Sequence, residues 1–217
     1  MELLVVTLAY TTPTQDIDTL ARIQLINETV RNVPGLLVSH FYRGRGSSPC
    51  YAILTTWEDD EAWLRAQERY NPKQLLSSSA TQFLTAPPEQ WSFNYLWGYS
   101  RPAATSTLAA IHLATVRPEQ ADVVQRAWVE GLKRQVAQSI LAFAFLARGI
   151  HEQDSSASLT QESVRVATPA QGSTFLNLLS WSIEREREDF YAGSNYKAVN
   201  RFVTSMGTIQ TFSLEPL

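Results

Sequence analysis

Tyr51-Ala52-Ile53-Leu54-Thr55-Thr56-Trp57, followed by the acidic run Glu58-Asp59-Asp60-Glu61, has a counterpart in Phe175-Leu176-Asn177-Leu178-Leu179-Ser180-Trp181. Each apolar run ends on tryptophan and gives way to a polar stretch. The first reaches Tyr70 and Lys73, the second Tyr196 and Lys197. Trp57 to Lys73 and Trp181 to Lys197 are the same distance apart, so one small module is used twice.

Working outward from the first run, residues 3–10 form a short apolar stretch rich in β-branched residues, a strand signal. From Asp16 the period becomes helical, with Ile17, Leu20, Ile23, Ile26 and Val30 recurring, and Thr14 or Asp16 as the expected cap. Val33-Pro34-Gly35 stops that helix. Strands are expected over 36–42 and 50–57, with a turn at 44–49. A helix from Glu58 should break at Asn71-Pro72, and a fourth strand should span 91–99. The order β-α-β-β-α-β is the ferredoxin-like unit. Residues 101–106 read as a linker, after which the order restarts. Strands are expected at 108–116, 140–147, 175–183 and 208–214, and helices at 119–138 and 184–205.

A ferredoxin-like sheet has helices on one face only, so its bare face must be covered. We therefore expect an α+β fold in which two units, 1–100 and 107–217, pair sheet to sheet as an internal pseudo-dimeric barrel with a central space. Segment 149–172 is long for a strand-to-strand turn and reads as a lid, an added hairpin or a disordered loop.

The 217 residues carry 18% charged and 44% hydrophobic side chains and a net charge of −3, which gives no electrostatic reason to expect nucleic acid. There is no apolar run near 18 residues and only one cysteine, Cys50, so neither a membrane nor an internal disulfide is expected, and the reading is cytoplasmic. His40, His112 and His151 share no metal-ligand spacing with one another or with carboxylates, and no phosphate loop or dinucleotide fingerprint is present.

Val33-Pro34-Gly35, Trp57 with Glu61-Ala62, Trp181, and the segment from Phe190 to Asn200 give the chain a resemblance, over nearly its whole length as two copies, to the antibiotic-biosynthesis-monooxygenase-like family of dimeric α+β barrels. The resemblance implies a cofactor-independent monooxygenase of small aromatic, phenolic or quinone-like compounds. Its alternative is a non-catalytic ligand-binding or stress-related protein of the same fold. Haem-degrading members have tryptophan where Phe190 stands, histidine where Asn200 stands, and asparagine on the first strand, where the first copy has Thr7. Asparagine is a poor iron ligand beside imidazole, so no cofactor and no metal is expected. Half-length members form homodimers, which implies either a monomer with an internal pseudo-dimer or a further homodimer.

His112 is the candidate base. Its strand face, shared with Ala110 and Ala114, is expected to look into the barrel, with Ile111 and Leu113 toward the helices. The other reading is a histidine bonded across the sheet seam. Trp91, Phe93, Tyr95, Trp97 and Tyr99 alternate strictly, so all five should share one face, either as a wall for an aromatic ligand or as core. Tyr95 and Trp97 are the candidate ligand contacts there. Phe190, Tyr196 and Asn200 are candidates on the last helix, where Tyr196 and Asn200 lie one turn apart. They either offer a phenol and an amide to a cavity or pack on the sheet.

Overall fold

A computed structural model describes residues 1–46, 50–80, 83–137, 141–150 and 172–217. Most of the 149–172 segment, including His151, lies outside them, as does part of the 44–49 turn. The strands are β1 (Leu3–Tyr10), β2 (Leu36–Gly44), β3 (Cys50–Trp57), β4 (Glu89–Ser100), β5 (Leu108–Val116), β6 (Phe143–Gly149), β7 (Ser173–Trp181) and β8 (Gly207–Pro216). The helices are α1 (Asp16–Val30), α2 (Asp60–Tyr70), α3 (Pro72–Ala80), α4 (Ala121–Val136), α5 (Glu184–Ala192) and α6 (Ser194–Met206).

Local signals explain most boundaries. Gly35 takes φ +84°, a conformation open to glycine, and releases β2. The Asp59 carboxylate accepts from the Ala62 N–H at 2.7 Å and caps α2. Pro72 separates α2 from α3, as expected. In the second unit the equivalent break falls at Gly193. Neither Thr14 nor Asp16 caps α1, whose N-cap is Gln15 without a side-chain bond. The Asp16 carboxylate is engaged elsewhere: Tyr51 donates to it at 2.7 Å, and Arg43 pairs with it.

The strands run β1-β3-β2-β8-β5-β7-β6-β4 and close into a barrel. Each unit contributes four strands in ferredoxin-like order, and each unit's last strand meets the other's second. The two seams differ. β4 pairs with β6 from Phe93↔Gly149 to Ser100↔Phe143. β2 and β8 pair at Tyr42↔Pro216, Arg43↔Glu215 and Gly44↔Leu214, and the Arg45 N–H donating to the Ser213 carbonyl and the Leu217 N–H donating to the Phe41 carbonyl extend this seam on either side.

The middle of the barrel is filled. Leu4, Val6, Leu8, Leu54, Phe93, Ile111 and Leu178 are buried in one cluster there, with Tyr95, Phe143 and Phe212 packed against it. The expected space between the sheets is therefore confined to part of the barrel, where Leu4, Leu54, Tyr95 and Phe143 line a cavity of about 330 Å³.

This packing corrects the orientation of β5. Ile111 and Leu113 point into the barrel, and Ala110 and Ala114 pack with Val124, Trp128 and Leu132 of α4. A barrel interior can be filled only by its own strands and needs their large residues. On the outer face the helices bring the bulk, so the strand supplies alanines. His112 consequently faces the helices.

The aromatic ladder of β4 is also split. The register shifts between Tyr95 and Trp97 where β4 meets β6. Trp91, Phe93 and Tyr95 belong to the barrel interior, while Trp97 and Tyr99 pack on the helix side of the second unit. A bulge adds one residue and turns every later side chain to the opposite face.

A Cβ at residue 35 would lie 2.6 Å from the Ala62 Cβ, at a φ that disfavours any side chain. Gly35→Ala is expected to cost about 2 kcal/mol of stability in urea unfolding, since both strain and overlap oppose it. An unchanged midpoint would show that the turn relaxes freely.

Candidate active site

His112 sits mid-strand in β5, in register with Asn177 of β7 and Thr211 of β8. The same register places Leu3 opposite Trp57 and Leu108 opposite Trp181, so His112 occupies in the second unit the position that Thr7 occupies in the first. Over it lie α5 and α6. The Tyr191 and Tyr196 hydroxyls stand 3.3 and 3.4 Å from the His112 Nε2. The two phenol rings meet edge to face at 4.8 Å, and each ring centroid lies within 6 Å of the imidazole centroid. Phe190 and Trp181 close the aromatic group, with ring centroids 5.3 Å apart.

Of the sequence candidates, His112, Phe190, Tyr196 and Asn200 line one pocket, together with Trp128, Gln135 and Asn177. Tyr95 and Trp97 do not line it. Tyr95 lies in the barrel, its hydroxyl 2.8 Å from the Thr56 hydroxyl, and Trp97 packs elsewhere on the helix side. Tyr191, Gln135 and Asn177 were not among the candidates. Asn177 had a signal: it is a lone amide in an apolar run. With its amide oriented to satisfy both neighbours, it donates to the Phe145 carbonyl at 2.9 Å and accepts from the Trp128 indole at 3.3 Å. Tyr191 had no signal beyond its adjacency to Phe190.

The electrostatics follow from burial. His112 is 1% exposed, and desolvation pushes its pKa down to about 4 against a smaller upward pull from the Asn177 main chain. The ring is neutral at pH 7. Its Nδ1 has no hydrogen-bond partner, and the same holds for the Trp181 indole N–H. Burial also raises the Tyr191 pKa, as does the nearby Tyr196 phenol, and burial raises the Tyr196 pKa. Both phenols therefore stay protonated and can donate.

The first unit is built differently at the matching place. The Gln90 amide N–H group reaches Thr7 Oγ1 and Asn71 Oδ1, both at 2.8 Å. Trp57 donates its indole N–H to Thr55 at 3.0 Å, where the second unit has Leu179. The polar groups there satisfy one another, whereas those around His112 do not. The pocket at His112 has a volume of only about 10 Å³, and Asn200 stands where an imidazole would be wanted, so these residues do not fit a haem. Among the described residues no cluster of three or more His, Cys, Asp or Glu forms a metal site, and no helix is long and apolar enough to cross a membrane.

Because His112 is depressed when folded, the unfolded chain binds its proton first. Stability is therefore full above the unfolded value near 6.5 and declines as pH falls from about 6.5 to 4, by up to about 3 kcal/mol from this residue. Urea titrations of wild type and His112→Asn at pH 7 and pH 4.5 should show the smaller acid loss in the variant. Equal losses would remove His112 as the cause.

No curated protein matches the chain in sequence. Residues 3–70 match the family model of the antibiotic biosynthesis monooxygenases. Among solved structures, a candidate monooxygenase from Fusobacterium nucleatum superposes with a TM-score of 0.72 at 10% identity, covering 100% of this chain and 92% of that one. A candidate monooxygenase from Lactobacillus acidophilus gives 0.66 at 9% identity, with 100% and 94% coverage. An anthrone oxidase-like protein gives 0.65 at 14% identity, with 100% and 91% coverage. At these identities the likeness is one of fold. Residues 3–70 thus match the antibiotic biosynthesis monooxygenase family model, within a chain whose fold resembles these structures along its whole length.

Proposed function

We propose that the second unit is a cofactor-independent oxygenase site for a small phenolic compound, with His112 as the base. The observation that carries this reading is the pair of phenol hydroxyls set against a buried, neutral imidazole nitrogen. Two side chains of the protein itself stand where a substrate phenol would stand. The family match of the first unit supports the same reaction class.

In this reading the substrate phenol displaces Tyr196 and gives its proton to the His112 Nε2. Proton transfer to an imidazole of pKa about 4 is unfavourable in isolation. It becomes affordable because imidazolium and phenolate form together, in contact and out of water, where their attraction is strong. The phenolate then passes one electron to dioxygen. The phenol is the enol tautomer of a ring ketone, so its radical carries spin on the ring CH that was the ketone's CH₂. Superoxide and the radical combine there, the imidazolium returns its proton to the peroxide, and loss of water from the hydroperoxide leaves a carbonyl. The sum is R₂CH₂ + O₂ → R₂C=O + H₂O, with dioxygen as the sole oxidant. Asn200 and Gln135 offer amides to the ring substituents, and Phe190 and Trp128 offer apolar walls. Tyr196 and Asn200 are only half-buried, and α6 is joined to α5 through the extended Gly193, so α6 is the element that moves to admit substrate.

The pocket's small volume favours the alternative of a non-catalytic protein, and turnover distinguishes the two. With anthrone as substrate, oxygen uptake should match carbonyl product one to one and persist after dialysis against a chelator. His112→Ala should lower turnover by about 100-fold or more, the usual contribution of a positioned base. Unchanged turnover in that variant would discard the base assignment, and no oxygen uptake by the wild type would favour the binding protein.

A further inference from the structure

The His112 pocket is too small to hold a substrate by itself, and the two helices beside it show where more space lies. α4 and α6 pack together, and on their outer side a groove of about 500 Å³ runs between them. That volume is within the range of small-molecule sites. Val199 of α6 lines both the inner pocket and the groove, and among the described residues it is the one lining residue that the two spaces share. Gly131 of α4 faces it, and a Cβ at residue 131 would overlap a Val199 methyl. A glycine inside a helix weakens it. Here its effect is to seat Val199 in the place of the side chain that α4 lacks. The wall between His112 and the groove is therefore a single valine.

The groove carries its own chemistry. Val123, Ala127 and Phe202 give it apolar sides, and Arg126 and Arg134 line it. The two arginines lie about two helical turns apart, so they share one face of α4. The carboxylates nearby are engaged by other cations. Glu130, which also lines the groove, pairs with Lys133, and Asp122 pairs with Arg148, both at 2.8 Å. Arg126 donates from Nε to the Asp122 carbonyl one turn back. An apolar trough flanked by two guanidinium groups suits an aromatic body that ends in a carboxylate, which a guanidinium holds by two parallel hydrogen bonds.

We propose that the groove between α4 and α6 is the outer half of the His112 site, and that the site takes an elongated polycyclic phenol with a carboxylate at the end remote from the phenol. This rests on the oxygenase reading for the inner end. The phenol reaches His112 as α6 shifts and carries Val199 aside. The ring system lies across the line that Val199 closes, and the carboxylate stays near the surface with Arg126 and Arg134. The charge is never taken into the apolar pocket, where it would lack a partner.

The probe is 1,8-dihydroxyanthraquinone-3-carboxylate, with its 3-methyl analogue as the neutral control. Each is titrated into the full chain and followed by quenching of tryptophan fluorescence, Trp128 lining the inner pocket. The carboxylate should bind about tenfold tighter than the methyl analogue, the effect of one charge-assisted hydrogen bond, and high salt should narrow the gap. Arg126→Gln/Arg134→Gln should abolish the preference and leave the methyl analogue unchanged. Ala198→Trp, which fills the groove from an exposed position off the inner pocket, should weaken both ligands about tenfold or more. Equal binding of the two ligands by the wild type, a preference that survives the arginine variant, undiminished binding in Ala198→Trp, or binding of neither ligand would each overturn the proposal. Binding is read without turnover, so a chain that binds in the expected way and takes up no oxygen sinks the oxygenase reading and leaves this ligand class standing.

Discussion

Filling the inside of a closed eight-stranded sheet is the constraint on which the rest of this protein depends. Only the strands can reach that interior, so they must send their large side chains into it. Leu4, Leu54, Phe93, Ile111 and Leu178 do so. Side chains alternate along a strand, so each choice also fixes its neighbours. Once Ile111 and Leu113 turn inward, His112 must turn outward. It then falls beneath α5 and α6, beside Tyr191 and Tyr196, instead of into a central channel. The position of the candidate base is thus a consequence of how the core is packed.

The two halves of the fold match in strand order and register, and their sites do not match. Thr7 and His112 are equivalent in register, but Thr7 is satisfied by Gln90, while His112 keeps an unpaired Nδ1. Trp57 and Trp181 are equivalent in the same way, and only the first finds a partner for its indole N–H. Unpaired buried polar groups weaken a fold and accumulate where a protein is shaped for something other than stability. Here two such groups lie in the His112 site.

Much of the fold could be read from the chain because its signals are local. The breaks at Val33-Pro34-Gly35 and Asn71-Pro72, the tryptophans closing β3 and β7, and the repeat spacing each act over a few residues. The site was only partly legible. His112, Phe190, Tyr196 and Asn200 were identifiable as unusual residues, and the structure brings them together. Tyr95 and Trp97 were assigned to one face by alternation, and the bulge before Trp97 separated them. Such a bulge depends on the partner strand β6, more than 40 residues away, and leaves no mark in the local pattern.

The sequence by itself determined the order of strands and helices in the two halves and that pairing their sheets would cover the bare sheet faces, though not the bounds of β6 and β7 or the break at Gly193. Period, proline, glycine and chain length suffice for those conclusions. Only the tertiary structure decided which face of β5 looks inward, that the middle of the barrel is solid, and that one seam is long and the other short. Those outcomes turn on how much volume two distant halves of the chain bring to a shared interior, a quantity that no single segment carries.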